Sequence, residues 1–213
     1  MRSRSPVRLL AILFLVAFAT TNAGAQVLEF ESGGLKYKAL TRGGVTIMFA
    51  PLPTRVLGYT ILQVAISNGS TISWSFKPED FRFERDGGQS IQAVSAGTVV
   101  KQLLDRASRG DVGRLISAYE AALFGNARVH STNGYEERRQ DYMALGSTKL
   151  KAASAASAIA LVTTKLAPGQ STDGAVFYPS KGKPLGSGRL IVNAAGEIFE
   201  FPVEAEIPQR ASR

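Results

Sequence analysis

The chain has 213 residues, with 25 Lys and Arg against 17 Asp and Glu, one His and no Cys. Without Cys there are no disulfides, thiolate nucleophiles or thiolate-bound metals, and a single His excludes two-histidine metal motifs. With 45% hydrophobic residues, the composition is that of a folded protein, and the length favours a single domain.

Residues 1–25 have the pattern of a secretory signal peptide. Three arginines precede an apolar run over residues 9–19, and Ala23 and Ala25 form an A-x-A cleavage site before Gln26. The apolar run is short for a membrane span, so a leader that stays uncleaved and tethers the domain to the inner membrane is the alternative. Cleavage would remove the three arginines and leave a net charge of +5. An exported chain without Cys fits a bacterial envelope better than a eukaryotic extracellular space.

Residues 26–97 show the alternation of β-strands. A hairpin is predicted over residues 35–51 with its turn at Gly43 and Gly44, ended by Pro51 and Pro53. The strongest strand covers residues 59–67, with Leu62, Val64 and Ile66 on a buried face, and a turn follows at residues 68–70. Three shorter strands are expected at residues 72–76, 81–85 and 90–94.

The apolar period changes to that of helices over residues 98–160. The first helix carries an apolar stripe and is ended by Gly110, and Asp111 is the expected N-cap of the second. A third helix is predicted from residue 135 to about 160, although its Ala-rich part, residues 152–160, suits either helix or strand. The stripe of the first helix comprises Val99, Val100, Leu103, Leu104 and Ala107.

The β pattern returns over residues 161–207 and closes with a hairpin around Ala195 and Gly196, and residues 208–213 form a frayed tail. The predicted fold is mainly β with an α insertion (α+β): an antiparallel β-sandwich in two halves, with two to three helices inserted mid-chain.

The β segments resemble the small immunoglobulin-like domains that many bacteria secrete. The similarity lies in a long strand ending in a polar turn (LQVAISNGS), a "P-x-D-F" step at residues 78–81, a charged strand ending in Asp86-Gly87-Gly88, and an "L-x-P-G" turn at residues 166–169. It covers residues 35–94 and 165–203, whereas the helical block departs from the usual short connection. The resemblance implies a sandwich scaffold and roles in adhesion, protein contacts or ligand display.

Few residues offer catalytic or binding chemistry, and no cofactor or metal is expected. His130 lies in a polar loop and is interpreted as solvated. Glu79, Asp80 and Asp86 lack the spacing of a calcium loop, and we expect such acids to accept backbone hydrogen bonds. The Gly-rich loop over residues 181–188 lacks the spacing of a phosphate-binding loop.

Basic residues concentrate in the helical block, where the candidate interaction surface comprises Arg106, Arg109, Arg114, Arg138 and Arg139. Interleaved acids and few aromatic residues argue against nucleic acid as the partner. We therefore expect an exported, non-enzymatic binding or structural module of the cell envelope that contacts a protein through its helices. A peripheral contact with an anionic membrane or polymer is a further hypothesis. The alternative is a secreted hydrolase with its site between the helices and the sandwich.

Overall fold

The computed structural model describes residues 26–124 and 146–205. Within those ranges the protein is mainly β, with antiparallel sheets and three α-helices, which confirms the predicted α+β class. The strands are β1 (Leu28–Ser32), β2 (Leu35–Arg42), β3 (Val45–Val56), β4 (Tyr59–Asn68), β5 (Trp74–Phe76), β6 (Phe81–Arg85), β7 (Ser90–Gln92), β8 (Thr164–Leu166), β9 (Ser171–Pro179), β10 (Gly188–Ala194) and β11 (Glu197–Val203). The helices are α1 (Ala96–Arg106), α2 (Arg109–Phe124) and α3 (Thr148–Ile159).

One sheet, here called the central sheet, contains five strands in the order β1-β2-β3-β4-β9. Its first four strands follow one another along the chain and are joined by two-residue turns. Both residues of each turn have positive φ, as the right-handed twist of a tight hairpin requires. Glycine fills most of these positions, and Leu57 at φ 47° is the exception.

A second sheet, the outer sheet, contains four strands in the order β11-β10-β6-β7. It faces the central sheet across an aromatic core, in which the rings of Phe49 and Phe201 meet edge to face at 5.1 Å. The short pair β5-β8 adds Trp74 and Leu166 to the same core. Alternation in the sequence predicted these inward aromatic faces because side chains of a strand point to opposite sides in turn.

The helices form a layer over the other face of the central sheet, so three layers are stacked. The helical layer covers a second apolar core that includes Tyr59, Ile61 and Phe177 of the sheet. The sequence was interpreted as a sandwich interrupted by an insertion. The inserted helices bury a sheet face that would otherwise be exposed to water. This explains why β4 is buried on both faces, while Leu62, Val64 and Ile66 form a buried face as predicted.

Helix α3 packs its alanines against this core. The residues in question are Ala152, Ala153, Ala155, Ala156 and Ala158. The segment that suited either helix or strand is helical as far as Ile159, and Ala160 then forms a parallel β-bridge to Ala175 of β9. Small side chains permit the close approach of helix and sheet.

Two predicted strand features are wrong. Pro51 and Pro53 do not end β3, which continues to Val56, because the β3–β4 register shifts between Pro51 and Arg55 and this irregularity accommodates the prolines. Ile72 is not part of a buried strand: it lies before β5 with 61% of its surface exposed.

Strand β1 was not predicted. It lies at an edge of the central sheet, and its acids Glu29 and Glu31 face Lys38 and Lys36 across the pair. Charged residues are typical of edge strands, and here they alternate with Leu28 and Phe30.

The helix boundaries also differ from the prediction. Ser95 caps α1 by accepting a hydrogen bond from the Thr98 amide. Gly110 lies inside the first turn of α2, because Ser108 rather than Asp111 caps that helix. Leu104, placed on the apolar stripe, is 39% exposed. The face of α1 that packs against the rest of the protein carries Val99, Leu103 and Ala107. Leu104 follows Leu103 by one residue, so its side chain lies about 100° around the helix from Leu103.

Candidate interaction surface on the helical layer

The turn between α1 and α2 is fixed by a reciprocal cap. The Ser108 amide donates to Asp111 Oδ2 at 2.8 Å, and the Asp111 amide donates to Ser108 Oγ at 3.3 Å. This is the arrangement of a capping box, with Asp in place of Glu. The Asp111 carboxylate is buried, and Arg114 lies 3.4 Å from its other oxygen. The first turn of α2 is therefore held rigidly beside the end of α1.

The start of α3 lies at the same place. The Lys149 ammonium donates to the Asp105 carbonyl oxygen, in the last turn of α1, at 2.6 Å. A cation is favoured there because the last carbonyls of a helix carry partial negative charge. The C-terminus of α1 and the N-termini of α2 and α3 thus converge at one end of the helical layer.

We call this region the basic end. It combines six cations with two carboxylates, Asp105 and Asp111, and Asp111 is already satisfied by Ser108 and Arg114. The cations are Lys101, Arg106, Arg109, Arg114, Lys149 and Lys151. Within the described residues, Lys101, Arg106 and Arg109 are exposed and form no ion pair. The basic end therefore presents positive charge to solvent.

Two leucines are exposed in the same region. Leu104 is 39% exposed and Leu150 is 46% exposed. Because Lys149 contacts Asp105, these two leucines, each one residue away along its helix, also lie at the basic end. The surface there is both cationic and apolar.

The structure places Arg106, Arg109 and Arg114 of the predicted interaction surface on exposed positions of α1 and α2. Arg138 and Arg139 lie outside the described residues, as do Ala23 and Ala25 of the cleavage site and His130. Gln26 is exposed and lies two residues before β1. Sequence reasoning missed Leu104 and Leu150 because both fit an apolar helical pattern. The candidate surface derived from the sequence did not include Lys101 and Lys149, because their proximity depends on the packing of α1 against α3.

Of the three carboxylates considered for calcium, Asp80 accepts a hydrogen bond from the backbone. Asp80 Oδ2 accepts a hydrogen bond from the Lys77 amide at 2.8 Å and fixes the short 3-10 turn at Pro78–Asp80. Burial raises the pKa of Asp80, against the lowering effect of that hydrogen bond. In residues 26–124 and 146–205, no three His, Cys, Asp or Glu side chains come together as a metal site.

The Gly-rich loop forms hydrogen bonds with other parts of the protein. The amides of Ser180 and Gly182 donate to the Gly58 carbonyl at 3.1 and 3.0 Å. Arg85 Nε donates to the Leu185 carbonyl at 2.8 Å. These bonds join the loop to the β3–β4 turn and to β6.

Comparisons with known proteins give little further information. No family model matches the chain, and no curated protein matches it. A solved structure, that of the yjhA protein from Bacillus subtilis, aligns with a TM-score of 0.32 and 13% identity, covering 78% of this chain and 77% of that chain. Among the helices of the described ranges, none is long and apolar enough to cross a membrane.

Proposed function

We propose that the protein is an exported, non-enzymatic binding module of the bacterial cell envelope that contacts an acidic surface through the basic end of its helical layer. The observation that carries the proposal is the convergence of three helix ends, which gathers six cations around two carboxylates. A protein partner is the expectation from the sequence and remains one candidate for the acidic surface.

The two facing sheets would serve as the scaffold. We propose that they form an immunoglobulin-like sandwich, supported by their antiparallel strands and shared aromatic core. On the outer sheet, Arg189 lies 3.2 Å from Glu84 and 3.3 Å from Glu200. Among the residues that the structure describes, Lys101, Arg106 and Arg109 of the basic end form no ion pair, in contrast to Arg189.

Deletion of the helices is not a suitable test, because it would expose Tyr59, Ile61 and Phe177 of the second core. We would instead reverse two charges with Arg106→Glu and Arg109→Glu. The matched control reverses two exposed cations on the sheets, Arg42→Glu and Lys165→Glu, and changes the net charge by the same amount.

Wild-type protein and both variants would be immobilised and exposed to an envelope extract that contains membrane and soluble fractions. We expect the wild type and the sheet variant to retain the same component and the helical-layer variant to lose it. Equal retention by all three proteins would contradict the assignment of the surface. The mass of the protein recovered from an exporting bacterium tests the predicted cleavage before Gln26.

A further inference from the structure

Exposed apolar side chains beside cations narrow the kind of acidic surface that the basic end fits. Leu104 and Leu150 are large apolar side chains exposed on the helices, and Lys101 and Lys149 neighbour them on α1 and α3. Lys101 and Leu104 are three residues apart, so they share one face of α1. Exposed apolar side chains next to cations are typical of protein segments that lie at a membrane interface.

We infer that the basic end docks on the surface of an anionic phospholipid bilayer. In this arrangement Leu104 and Leu150 enter the headgroup region, and the surrounding lysines and arginines approach the lipid phosphates. This inference rests on the proposed function and names the chemistry of its acidic partner.

The leucines favour a bilayer over a soluble polyanion. A hydrated polyanion attracts the cations but offers no apolar phase, so the leucines would remain in water. At a bilayer interface their transfer out of water adds to the electrostatic attraction. The hydrogen bond from Lys149 to the Asp105 carbonyl holds α1 and α3 together, so both leucines are presented by a preformed surface.

The test is flotation with vesicles of phosphatidylglycerol mixed with phosphatidylcholine, compared with vesicles of pure phosphatidylcholine. The protein is expressed as the full chain and used as the cell delivers it. Binding to the pure phosphatidylcholine vesicles reports any contribution from a retained leader, which is the same in every variant. Arg106→Glu with Arg109→Glu tests the charges, with Arg42→Glu and Lys165→Glu as control. Leu104→Ser with Leu150→Ser tests the apolar contribution, and its control is Ile72→Ser with Ile198→Ser, since both isoleucines are exposed on the β part.

We expect the wild type to bind the anionic vesicles and to dissociate as salt is raised. Each cation near such a surface strengthens binding about fivefold, so removal of two would weaken it roughly thirtyfold. The charge reversal should weaken it further, because the two introduced glutamates are repelled by the anionic lipid. The leucine variant should lose roughly tenfold in affinity, and both controls should bind like the wild type. All of these surface residues are exposed, and circular dichroism of each variant verifies that it has folded.

Two results would overturn the inference. Absence of binding to anionic vesicles, with the charge-dependent capture from envelope extract preserved, would show that the acidic partner is not a lipid and leave the proposed function standing. Unchanged binding by the leucine variant would show that the surface attracts polyanions without docking on a bilayer.

Discussion

Gly174 of β9 lies directly against the backbone of Leu161, the second residue after α3. A Cβ atom on Gly174 would stand 2.6 Å from both the Cα and the amide nitrogen of Leu161. The Leu161 amide donates to the Ala175 carbonyl at 2.9 Å, so the chain leaving α3 is bonded to the sheet at this point. The absence of a side chain at residue 174 lets α3 lie close to the central sheet.

Gly174→Ala should therefore destabilise the protein by about 2–4 kcal/mol, because backbone atoms must move to admit the methyl group. Urea denaturation measures the change. Gly113→Ala in α2 is the matched control: nothing lies within 4 Å of the position that its methyl group would take, and alanine favours helix, so it should stabilise by up to about 1 kcal/mol. Equal midpoints for the two variants would contradict the steric explanation.

Asn68 is a second position where the chain tolerates little change. Its side chain is fully buried: Nδ2 donates to the carbonyls of Ile72 and Leu166 at 2.8 and 3.0 Å, and Oδ1 accepts from the amide of Ser70 at 3.0 Å. Asn68→Asp would set a carboxylate oxygen against two carbonyls, and we expect a loss of about 3–5 kcal/mol at neutral pH.

The pH dependence separates this effect from a simple loss of packing. A buried carboxyl at residue 68 would have a raised pKa, so the unfolded chain would release its proton first as the pH rises. The variant should therefore recover stability relative to the wild type as the pH falls. Asn193→Asp, at an exposed position of β10, should change little. Thermal melting as a function of pH compares the two, and a pH-independent deficit in Asn68→Asp would count against the explanation.

Tyr178 lies fully buried between the two sheets, and its hydroxyl has no hydrogen-bond partner among the described residues. Burial raises the pKa of this phenol well above its usual 10.0. The folded protein thus keeps a proton that the unfolded chain releases near that pH, so this contribution to stability is complete below it and is lost as the pH rises further.

Tyr178→Phe removes the unsatisfied hydroxyl and keeps the ring. We expect the variant to be as stable as the wild type, or more stable by about 1 kcal/mol, at neutral pH. Its free energy of unfolding should also fall less steeply at alkaline pH. Denaturation at a series of pH values measures both quantities, and a large loss of stability at neutral pH would reveal a hydrogen bond that this geometry lacks.

The alanine face of α3 predicts sensitivity to larger side chains. Ala155 is fully buried in the second core, whereas Ser157 on the same helix is exposed. Ala155→Leu should cost about 1–3 kcal/mol because the added atoms must displace packed neighbours. Ser157→Leu introduces the same side chain at an exposed position, where it displaces no packed neighbour. Its free energy of unfolding should lie within about 0.5 kcal/mol of the wild-type value. Urea denaturation of the pair tests the helix–sheet spacing.

The strand pattern was readable in the sequence wherever a strand alternates apolar and polar residues, as Phe81 and Phe83 do in β6. Local turn chemistry was also informative, since Gly43 and Gly44 form the predicted turn. The edge strand β1 was missed although Leu28 and Phe30 alternate with Glu29 and Glu31. Strand β3 was cut short because its prolines lie at a register shift that only the pairing reveals.

The packing of the helices against the central sheet was not specified by the sequence. The burial of Tyr59 and Ile61 by the helical layer depends on contacts between distant parts of the chain, which periodicity does not specify. The same limit applies to the basic end. The arginines were visible in the sequence, but the exposure of Leu104 and the contact of Lys149 with Asp105 follow from how three helices pack.

Strand β4 sends alternate side chains into both cores, with Ile61 on one side and Leu62 on the other. Disruption of either core removes the packing on one face of this strand. We therefore expect the mid-chain helices and the closing hairpin to unfold in one cooperative transition, although they pack against opposite faces of the sheet. The backbone amides of β4 are accordingly expected to exchange with solvent only when the entire chain opens. The exposed helix residues, and with them the proposed binding surface, can then vary without disturbing either core, whereas a substitution along β4 affects the packing on both faces of the central sheet.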